Sequence, residues 1–358
     1  MQMPKKLLFF ILTLVAILVA FLIYKSNNTL ELNLTKAPPI KKDTPPEISI
    51  DYLRKLNLDP DVLTIVEELS PGSNYRRYIS SYISEGNKIF GLLTIPLENP
   101  PKGGYSAVVF NHGYIPPDQY VTTEKYVAYV DYLARNGLVV FKIDLRGNGE
   151  SEGTPTGSYF SAGYTIDAIN ALKSLQKFNN INPNKIGMWG HSMAGNLILR
   201  AMLVENDIKA GVIWAGAVYS YKDFAEYGLN DSSYVHRQRD EDDPHYDSRD
   251  LRSGWSGEVS KLRREPENID FSDDFWSAIS LTQNINYLNA PLQLHHSVDD
   301  PSVDIGYSRD LAKVLQNVGK KYTLYEYFGG GHNIDSPYFE QAMQRTVEFF
   351  KENLSSNE

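Results

Sequence analysis

The chain contains no cysteine among its 358 residues. This absence excludes disulfides, catalytic thiolates and zinc sites built from cysteine. Positive charge is also scarce, because 44 acidic residues outnumber 35 lysines and arginines and give a net charge of -9. Nucleic-acid binding needs a basic surface, so the composition argues against a nucleic acid as a partner. A hydrophobic content of 42% is that of a globular protein, and the length allows one large domain with additions.

One long apolar run stands at the N-terminus. Residues 7–24 contain a single polar residue, Thr13, and follow Lys5 and Lys6. A helix of this length spans about 27 Å, close to the roughly 30 Å hydrocarbon core of a bilayer. We therefore expect residues 1–25 to form a membrane anchor, with the lysines cytoplasmic and the rest of the chain exported. The alternative is a cleaved signal peptide and a secreted protein, although no small-residue cleavage site follows the run.

Composition and periodicity divide the rest of the chain. Residues 26–47 contain four prolines and are predicted to form an extended linker before a domain over 48–358. Residues 48–69 are predicted to form one or two short helices. From residue 75 onward, apolar runs alternate with segments of helical length, which predicts an α/β fold with an eight-stranded, mostly parallel sheet and helices on both faces. The predicted strands are 75–84, 88–96, 107–111, 138–144, 185–191, 210–215, 291–296 and 323–328, and the predicted helices are 119–136, 159–178, 192–204, 305–318 and 336–353.

A long charged segment interrupts this alternation. Residues 219–279 separate two predicted strands by far more than the usual short connection. Sites in open α/β folds lie at the carboxyl ends of the strands, which is where such an insertion belongs. We therefore predict a lid that shapes the substrate pocket, with Trp255 and Trp276 as candidate lining residues.

The strongest local motif follows the predicted strand 185–191. Gly190-His191-Ser192-Met193-Ala194-Gly195 separates an apolar run from a helical segment, which is the strand–turn–helix setting of a nucleophile elbow. A sharp turn between small residues exposes the Ser192 hydroxyl and directs the Met193 N–H towards a developing oxyanion. Ala194 departs from the usual G-x-S-x-G pattern, but alanine is also small. We predict Ser192 as a nucleophile.

A serine hydroxyl is a weak nucleophile and needs a positioned base. Of the seven histidines, we predict His332 for this role, because it follows a predicted strand in a loop of three glycines. In one common order of such triads, an acid stands between the serine and the histidine along the chain. The loop after the predicted strand 291–296 supplies two candidates, Asp299 and Asp300.

A second motif follows the predicted strand 107–111. Asn111-His112-Gly113-Tyr114 ends this strand in a histidine–glycine turn. Gly113 allows the chain to bend so that the Tyr114 N–H points at the serine. We predict the N–H groups of Tyr114 and Met193 as the two donors of an oxyanion hole.

Together these motifs resemble the catalytic domain of the prolyl oligopeptidase family and the related dienelactone-hydrolase-like esterases. The resemblance covers residues 75–353 and rests on 111–114, 144–151, 190–195, 300–303 and 331–332. It implies an α/β-hydrolase fold and a Ser192, Asp300 and His332 triad that needs no metal or organic cofactor. Matching the family's valine near the acid to Val303 implies Asp300 rather than Asp299. The resemblance also implies that 144–151 is a structural loop in which Asp144 and Arg146 pair.

The sequence thus predicts a serine hydrolase that cleaves a small ester or an amide through an acyl-enzyme intermediate. A serine peptidase of the prolyl oligopeptidase type, acting on short peptides, is the first alternative. A membrane-tethered binding protein that keeps the fold without its chemistry is the second. The sequence indicates neither the acyl group nor the oligomeric state.

Overall fold

The computed structural model describes residues 47–228, 258, 261, 262 and 264–355. These residues all belong to one compact unit. The predicted anchor (1–25), the linker up to residue 46 and Trp255 lie outside the described residues. Among the helices of the described part, none has the length and apolar character needed to cross a bilayer.

A nine-stranded sheet forms the centre of the described chain. Its spatial order is β1-β2-β3-β5-β4-β6-β7-β8-β9. The pairs from β1 to β5 are antiparallel, and the five remaining pairs are parallel. The strands are β1 (Thr64–Leu69), β2 (Tyr75–Ser84), β3 (Asn87–Pro96), β4 (Tyr105–Asn111), β5 (Val139–Ile143), β6 (Ile181–His191), β7 (Gly211–Trp214), β8 (Leu292–Ser297) and β9 (Tyr322–Tyr327).

Helices cover both faces of this sheet, as predicted. The α-helices of the described residues are α1 (Ile50–Leu53), α2 (Val127–Arg135), α3 (Gly163–Gln176), α4 (Met193–Val204), α5 (Tyr221–Tyr227), α6 (Asp274–Ile279), α7 (Gly306–Asn317) and α8 (Phe339–Leu354). Successive side chains of a strand point to opposite faces. Along β4, Val109 packs with α3, α4 and α7 in one core, whereas Val108 and Phe110 pack with α2 and α8 in the other.

The prediction of eight strands is wrong by one, and the additional strand is β1. It lies within residues 48–69, which were predicted to be helical, and only α1 fulfils that prediction. Five of the six β1 residues are exposed, so no alternation of apolar residues marks the strand in the sequence. The β-branched residues Thr64, Ile65 and Val66 favour a strand, and antiparallel pairing with β2 then fixes it at the sheet edge.

The described ends of the predicted insertion pack into the domain. Trp276 on α6 is 2% exposed, and its ring contacts those of Tyr221, Phe271 and Phe275. It is therefore a core residue rather than part of an open surface. Residues 229–257, the centre of the insertion, lie outside the described residues, and the lid stays a prediction.

Parallel strands bring the predicted site residues to one edge of the sheet. Ser192 follows β6, and Gly113 follows its neighbour β4. Asp300 follows β8, and His332 follows the adjacent strand β9. The carboxyl ends of parallel strands face the same way, so loops that are distant in sequence converge there.

Candidate active site

Ser192 occupies the turn between β6 and α4. Its φ of 56° and ψ of -120° lie in a region that side chains rarely adopt, and such strain recurs at functional turns. The turn is held by its own backbone, because the Ser192 N–H donates to the Trp214 carbonyl at 2.9 Å and the Gly195 N–H donates to the Ser192 carbonyl at 2.8 Å. The predicted elbow geometry is present.

Close packing of small residues makes this turn possible. A Cβ added at Gly190 would lie 2.9 Å from the Ala194 Cβ, and one added at Gly195 would lie 2.7 Å from the Gly216 Cα. Neither position tolerates a side chain without a shift. Ala194 is accommodated because Gly190, which faces it, has none.

The imidazole of His332 is paired with Asp300. Its Nδ1 lies 2.8 Å from Asp300 Oδ2. Asp300 Oδ1 accepts the backbone N–H groups of Ser302 and Val303 at 2.8 and 3.0 Å. Burial raises the pKa of this carboxyl, but hydrogen bonds from His296 and His332 outweigh burial and hold the pKa well below its usual range. Asp300 is therefore a fixed anion behind His332.

Asp299 has a different place in the structure. Its Oδ1 accepts a hydrogen bond from the Ser297 hydroxyl at 2.6 Å and another from the Gly331 N–H at 3.0 Å. These contacts connect the loop after β8 to the loop that carries His332. Of the two candidate aspartates, Asp300 is the one in contact with the imidazole.

The loop that carries His332 lies directly over the elbow. The rings of His332 and His191 are 4.5 Å apart between centroids, and His191 Nε2 donates to the His332 carbonyl at 2.8 Å. Within the described residues no hydrogen bond joins the Ser192 hydroxyl to the imidazole. Catalytic hydrogen bonds of this kind are often long in unliganded enzymes and shorten when substrate binds.

The loop after β4 contacts the elbow from the other side. A Cβ added at Gly113 would lie 3.2 Å from the Ser192 Cβ. His112 Nδ1 donates to the Gly113 carbonyl at 2.7 Å. Because C=O and N–H point in opposite directions across a trans peptide, this bond also fixes the direction of the Tyr114 N–H. Among the hydrogen bonds of the described residues, none uses the N–H of Tyr114 or Met193, so both are free to bind an oxyanion.

Sequence reasoning missed two polar residues at this site. Tyr126 contacts the Gly113 N–H at 2.9 Å, and it is one of 24 tyrosines with no motif around it. His296 ends the predicted strand 291–296 and belongs to none of the motifs, but its Nε2 lies 3.3 Å from Asp300 Oδ2. Its position four residues before Asp300 is the only signal that could have identified it.

The predicted pair of Asp144 and Arg146 is wrong. Arg146 instead binds Asp167 on α3 through Nη2 at 2.7 Å and Nε at 3.0 Å. Asp144 accepts hydrogen bonds from the hydroxyls of Tyr120 and Thr122. The intervening Leu145 has a φ of 45°, and this left-handed turn directs the two side chains to different partners.

A surface cavity of about 520 Å³ lies away from these residues, between α5, α7 and the segment before α6. Asp223, Asp270 and Asp310 are among its lining residues, and none of the predicted catalytic side chains is. Within the described ranges, no group of three or more histidine or acidic side chains is arranged to hold a metal ion. The predicted catalytic side chains thus lie outside this cavity.

Sequence comparisons relate the chain to known proteins. A sequence model of the family described as serine aminopeptidase, S33, matches residues 105–334. This range contains Gly113, Ser192, Asp300 and His332. An uncharacterized peptidase of Bacillus subtilis, YtmA, is 25% identical over 260 residues, which cover 72% of this chain and 86% of that protein.

Solved structures of both esterases and peptidases are similar to the chain. An acetyl xylan esterase from Paenibacillus sp. R4 has a TM-score of 0.59 at 17% identity, covering 84% of this chain and 91% of that one. A puromycin-hydrolyzing peptidase of Mycobacterium tuberculosis has a TM-score of 0.61 at 18% identity, covering 80% of this chain and 40% of that one. At such identities the likeness shows a shared fold.

Proposed function

Because the chain belongs to the serine aminopeptidase S33 family and is thus a serine hydrolase of the α/β-hydrolase fold, we propose that Ser192, Asp300 and His332 hydrolyse an ester or amide bond. The hydrogen bond of 2.8 Å between Asp300 and His332, beside the strained turn at Ser192, carries this proposal. Membership of this family also disfavours the alternative of a binding protein without chemistry.

The proposed reaction proceeds in two acyl-transfer steps. Asp300 holds the proton of His332 on Nδ1, so Nε2 is free to take the proton of Ser192 as its oxygen attacks the carbonyl. The N–H groups of Met193 and Tyr114 bind the oxyanion that forms. His332 then protonates the leaving group, and water attacks the acyl-enzyme by the reverse sequence of proton transfers. Asp300 stabilises the transient imidazolium throughout.

The substrate is proposed to be a small ester or a short peptide. The names of the similar proteins include both peptidases and an esterase, so they favour neither class. A panel of p-nitrophenyl esters and dipeptide anilides separates the two. Turnover of anilides alone would identify a peptidase and contradict an esterase assignment.

Labelling with a fluorophosphonate probe tests the nucleophile. We expect the full-length protein to be labelled and the Ser192→Ala variant to be unlabelled, because the probe reacts only with an activated serine. Labelling that persists in the variant would show that another residue reacts. A folded wild-type protein that neither reacts with the probe nor hydrolyses any substrate of the panel would contradict the proposed function.

The two adjacent aspartates give a matched pair for the acid. Asp300→Asn should lower kcat by about four orders of magnitude, since an amide cannot hold the histidine in its productive tautomer. Asp299→Asn makes the same substitution in the same loop at a side chain that does not contact the imidazole, so it should lower kcat far less. A larger loss for Asp299→Asn than for Asp300→Asn would reverse the assignment.

We also propose that residues 1–25 anchor the enzyme in a membrane and that 26–47 separate the exported domain from the bilayer. Support comes from the length of the apolar run 7–24 and from the lysines that precede it. Secretion after cleavage of this segment remains the alternative.

A further inference from the structure

We propose that the Tyr126 hydroxyl is a positioning group that joins the oxyanion loop to the histidine loop, through His191, and holds both in register with Ser192. The inference rests on the proposed function, because the two loops have this use only in a serine hydrolase. Here the oxyanion loop means residues 112–114, and the histidine loop means residues 329–333.

The ring of Tyr126 is held firmly in place. Tyr126 precedes α2 with a φ of 59° and a ψ of 27°, a left-handed conformation that is unfavourable for a tyrosine. Its ring makes edge contacts with Phe110 at 5.5 Å and with Trp189 at 6.1 Å, both of which are fully buried strand residues. The strained backbone and the buried neighbours together fix where the hydroxyl points.

Three hydrogen bonds run from one loop to the other through this hydroxyl. The Gly113 N–H lies 2.9 Å from Tyr126 Oη. Tyr126 Oη lies 2.8 Å from His191 Nδ1. His191 Nε2 lies 2.8 Å from the carbonyl oxygen of His332. Because Gly113 precedes Tyr114, the chain of bonds begins at the peptide before the oxyanion donor and ends on the backbone of the proposed base.

The direction of each hydrogen bond follows from the chemistry of its ends. A carbonyl only accepts, so His191 Nε2 must carry the proton that it donates to His332. Burial lowers the pKa of His191 to about 3, so the ring is neutral and its Nδ1 must accept. Tyr126 therefore donates its proton to Nδ1, and its oxygen is left to accept the Gly113 N–H. Each group in the chain from Gly113 to His332 thus has one assigned role as donor or acceptor in each hydrogen bond.

A neighbouring tyrosine shows what distinguishes Tyr126. Tyr129 lies one turn further along the same segment, and its hydroxyl donates to the Asn333 carbonyl at 2.9 Å. Of the two loops, the Tyr129 hydroxyl therefore binds only the histidine loop. Tyr126 contacts the oxyanion loop directly and the histidine loop through one imidazole. Loss of its hydroxyl would leave the Gly113 N–H without an acceptor and His191 Nδ1 without a donor. Both the oxyanion donor and the base would then be positioned less firmly.

The Tyr126→Phe variant of the full-length protein tests the proposal. We expect kcat for an ester that the wild type hydrolyses to fall by about 10- to 100-fold, below the full loss of an oxyanion donor, with KM unchanged. Affinity for a trifluoromethyl ketone, whose adduct with serine carries an oxyanion, should fall by the same factor as kcat/KM. If the substitution only reduced the fraction of folded enzyme, kcat/KM would fall but the affinity of the folded enzyme for the ketone would not.

Tyr132→Phe is the matched control. Tyr132 lies on α2 and also donates a phenolic hydrogen bond, but to the Glu340 carboxylate at the surface. It should keep wild-type kcat and inhibitor affinity. A folded Tyr126→Phe enzyme whose kcat and inhibitor affinity lie within twofold of the control would overturn the proposal.

A measurement on the wild type keeps the proposal testable if Tyr126→Phe does not fold. Nitrogen-15 NMR of histidine-labelled protein should show His191 neutral between pH 5 and 9, with the proton on Nε2 and none on Nδ1. A proton on Nδ1 would refute the order of hydrogen bonds. A wild-type protein that is unreactive would contradict the proposed function itself. An active wild type with an equally active Tyr126→Phe variant would contradict only the positioning role of Tyr126.

Discussion

At the scale of single residues, burial shifts the pKa of two charged groups, Asp144 and Lys142. Asp144 follows β5 and is fully buried, and burial raises its pKa to about 6 even though the hydroxyls of Tyr120 and Thr122 donate to it. Lys142, two residues earlier, is also fully buried, and burial lowers its pKa to about 8. Both groups are thus easier to neutralise than at the surface.

The variant Asp144→Asn should remove a pH dependence of stability. The folded pKa of about 6 exceeds the ordinary 3.8, so the folded state binds this proton more tightly. The contribution of this proton to the unfolding free energy is complete below pH 3.8 and is lost as the pH rises through 6. At 1.36 kcal/mol per pKa unit, the rise in pKa from 3.8 to about 6 corresponds to about 3 kcal/mol. Relative to Asp144→Asn, the wild type should lose this amount of unfolding free energy between pH 4 and 6.

Urea denaturation across this pH range gives the measurement. The exposed Asp118 lies in the loop that also carries Tyr120, and Asp118→Asn serves as the control. A difference between wild type and Asp144→Asn that stays constant with pH would mean that burial does not raise the pKa of Asp144.

At the scale of secondary-structure elements, the elbow depends on the close approach of β6 and α4. Gly190 is the next-to-last residue of β6 and Ala194 is the second residue of α4. An added Cβ at Gly190 would also meet Ile198 Cδ1 at 2.5 Å. The end of an isoleucine side chain can move aside, but the Ala194 Cβ is fixed to its helix. A glycine at 190 therefore permits an alanine at 194.

Gly190→Ala should destabilise the protein by about 1–3 kcal/mol, the usual range for an overpacked contact. Adding Ala194→Gly should restore part of the loss, because it removes the atom that the new methyl group meets. Ala194→Gly alone is the control, since glycine in a helix costs about 1 kcal/mol by itself. Unfolding free energies from urea titrations give the comparison. If the double variant loses as much unfolding free energy as the two single variants lose together, the contact between residues 190 and 194 does not restrict the approach of β6 and α4.

At the scale of the whole molecule, we propose that an apolar N-terminal segment anchors an acidic domain in the membrane. The net charge of -9 favours a domain that stays in solution. The apolar run 7–24 is long enough to hold such a domain at a bilayer by its own burial in lipid. Association with the membrane should then depend on the first 25 residues alone.

Removing residues 1–25 should move the protein from the membrane fraction to the soluble fraction without changing kcat. Fractionation before and after a carbonate wash measures this, and the full-length chain should resist the wash because its anchor is buried in lipid. Recovery of the full-length chain in the soluble fraction would contradict the anchor. A mature N-terminus within or just after residues 7–24 would instead identify the segment as a cleaved signal.

The sequence by itself determined the features that local pattern encodes. Alternating apolar and helical segments predicted the mostly parallel sheet, and the run from Gly190 to Gly195 predicted the turn at Ser192. These features depend on neighbours in the chain, so composition and spacing carry them. The glycine loop before His332 likewise predicted a residue that the structure brings over the elbow, with its catalytic role still a prediction.

Only the tertiary structure decided which side chains meet. The match to Val303 implied Asp300 rather than its neighbour Asp299, and the pairing of β8 with β9 brings the loop of Asp300 to His332, where the two side chains meet. Arg146 pairs with Asp167, and β1 becomes a strand by pairing with β2. The contact between His191 and His332 spans 141 residues. Such contacts depend on how distant elements pack, and neither residue type nor spacing in the sequence specifies that arrangement.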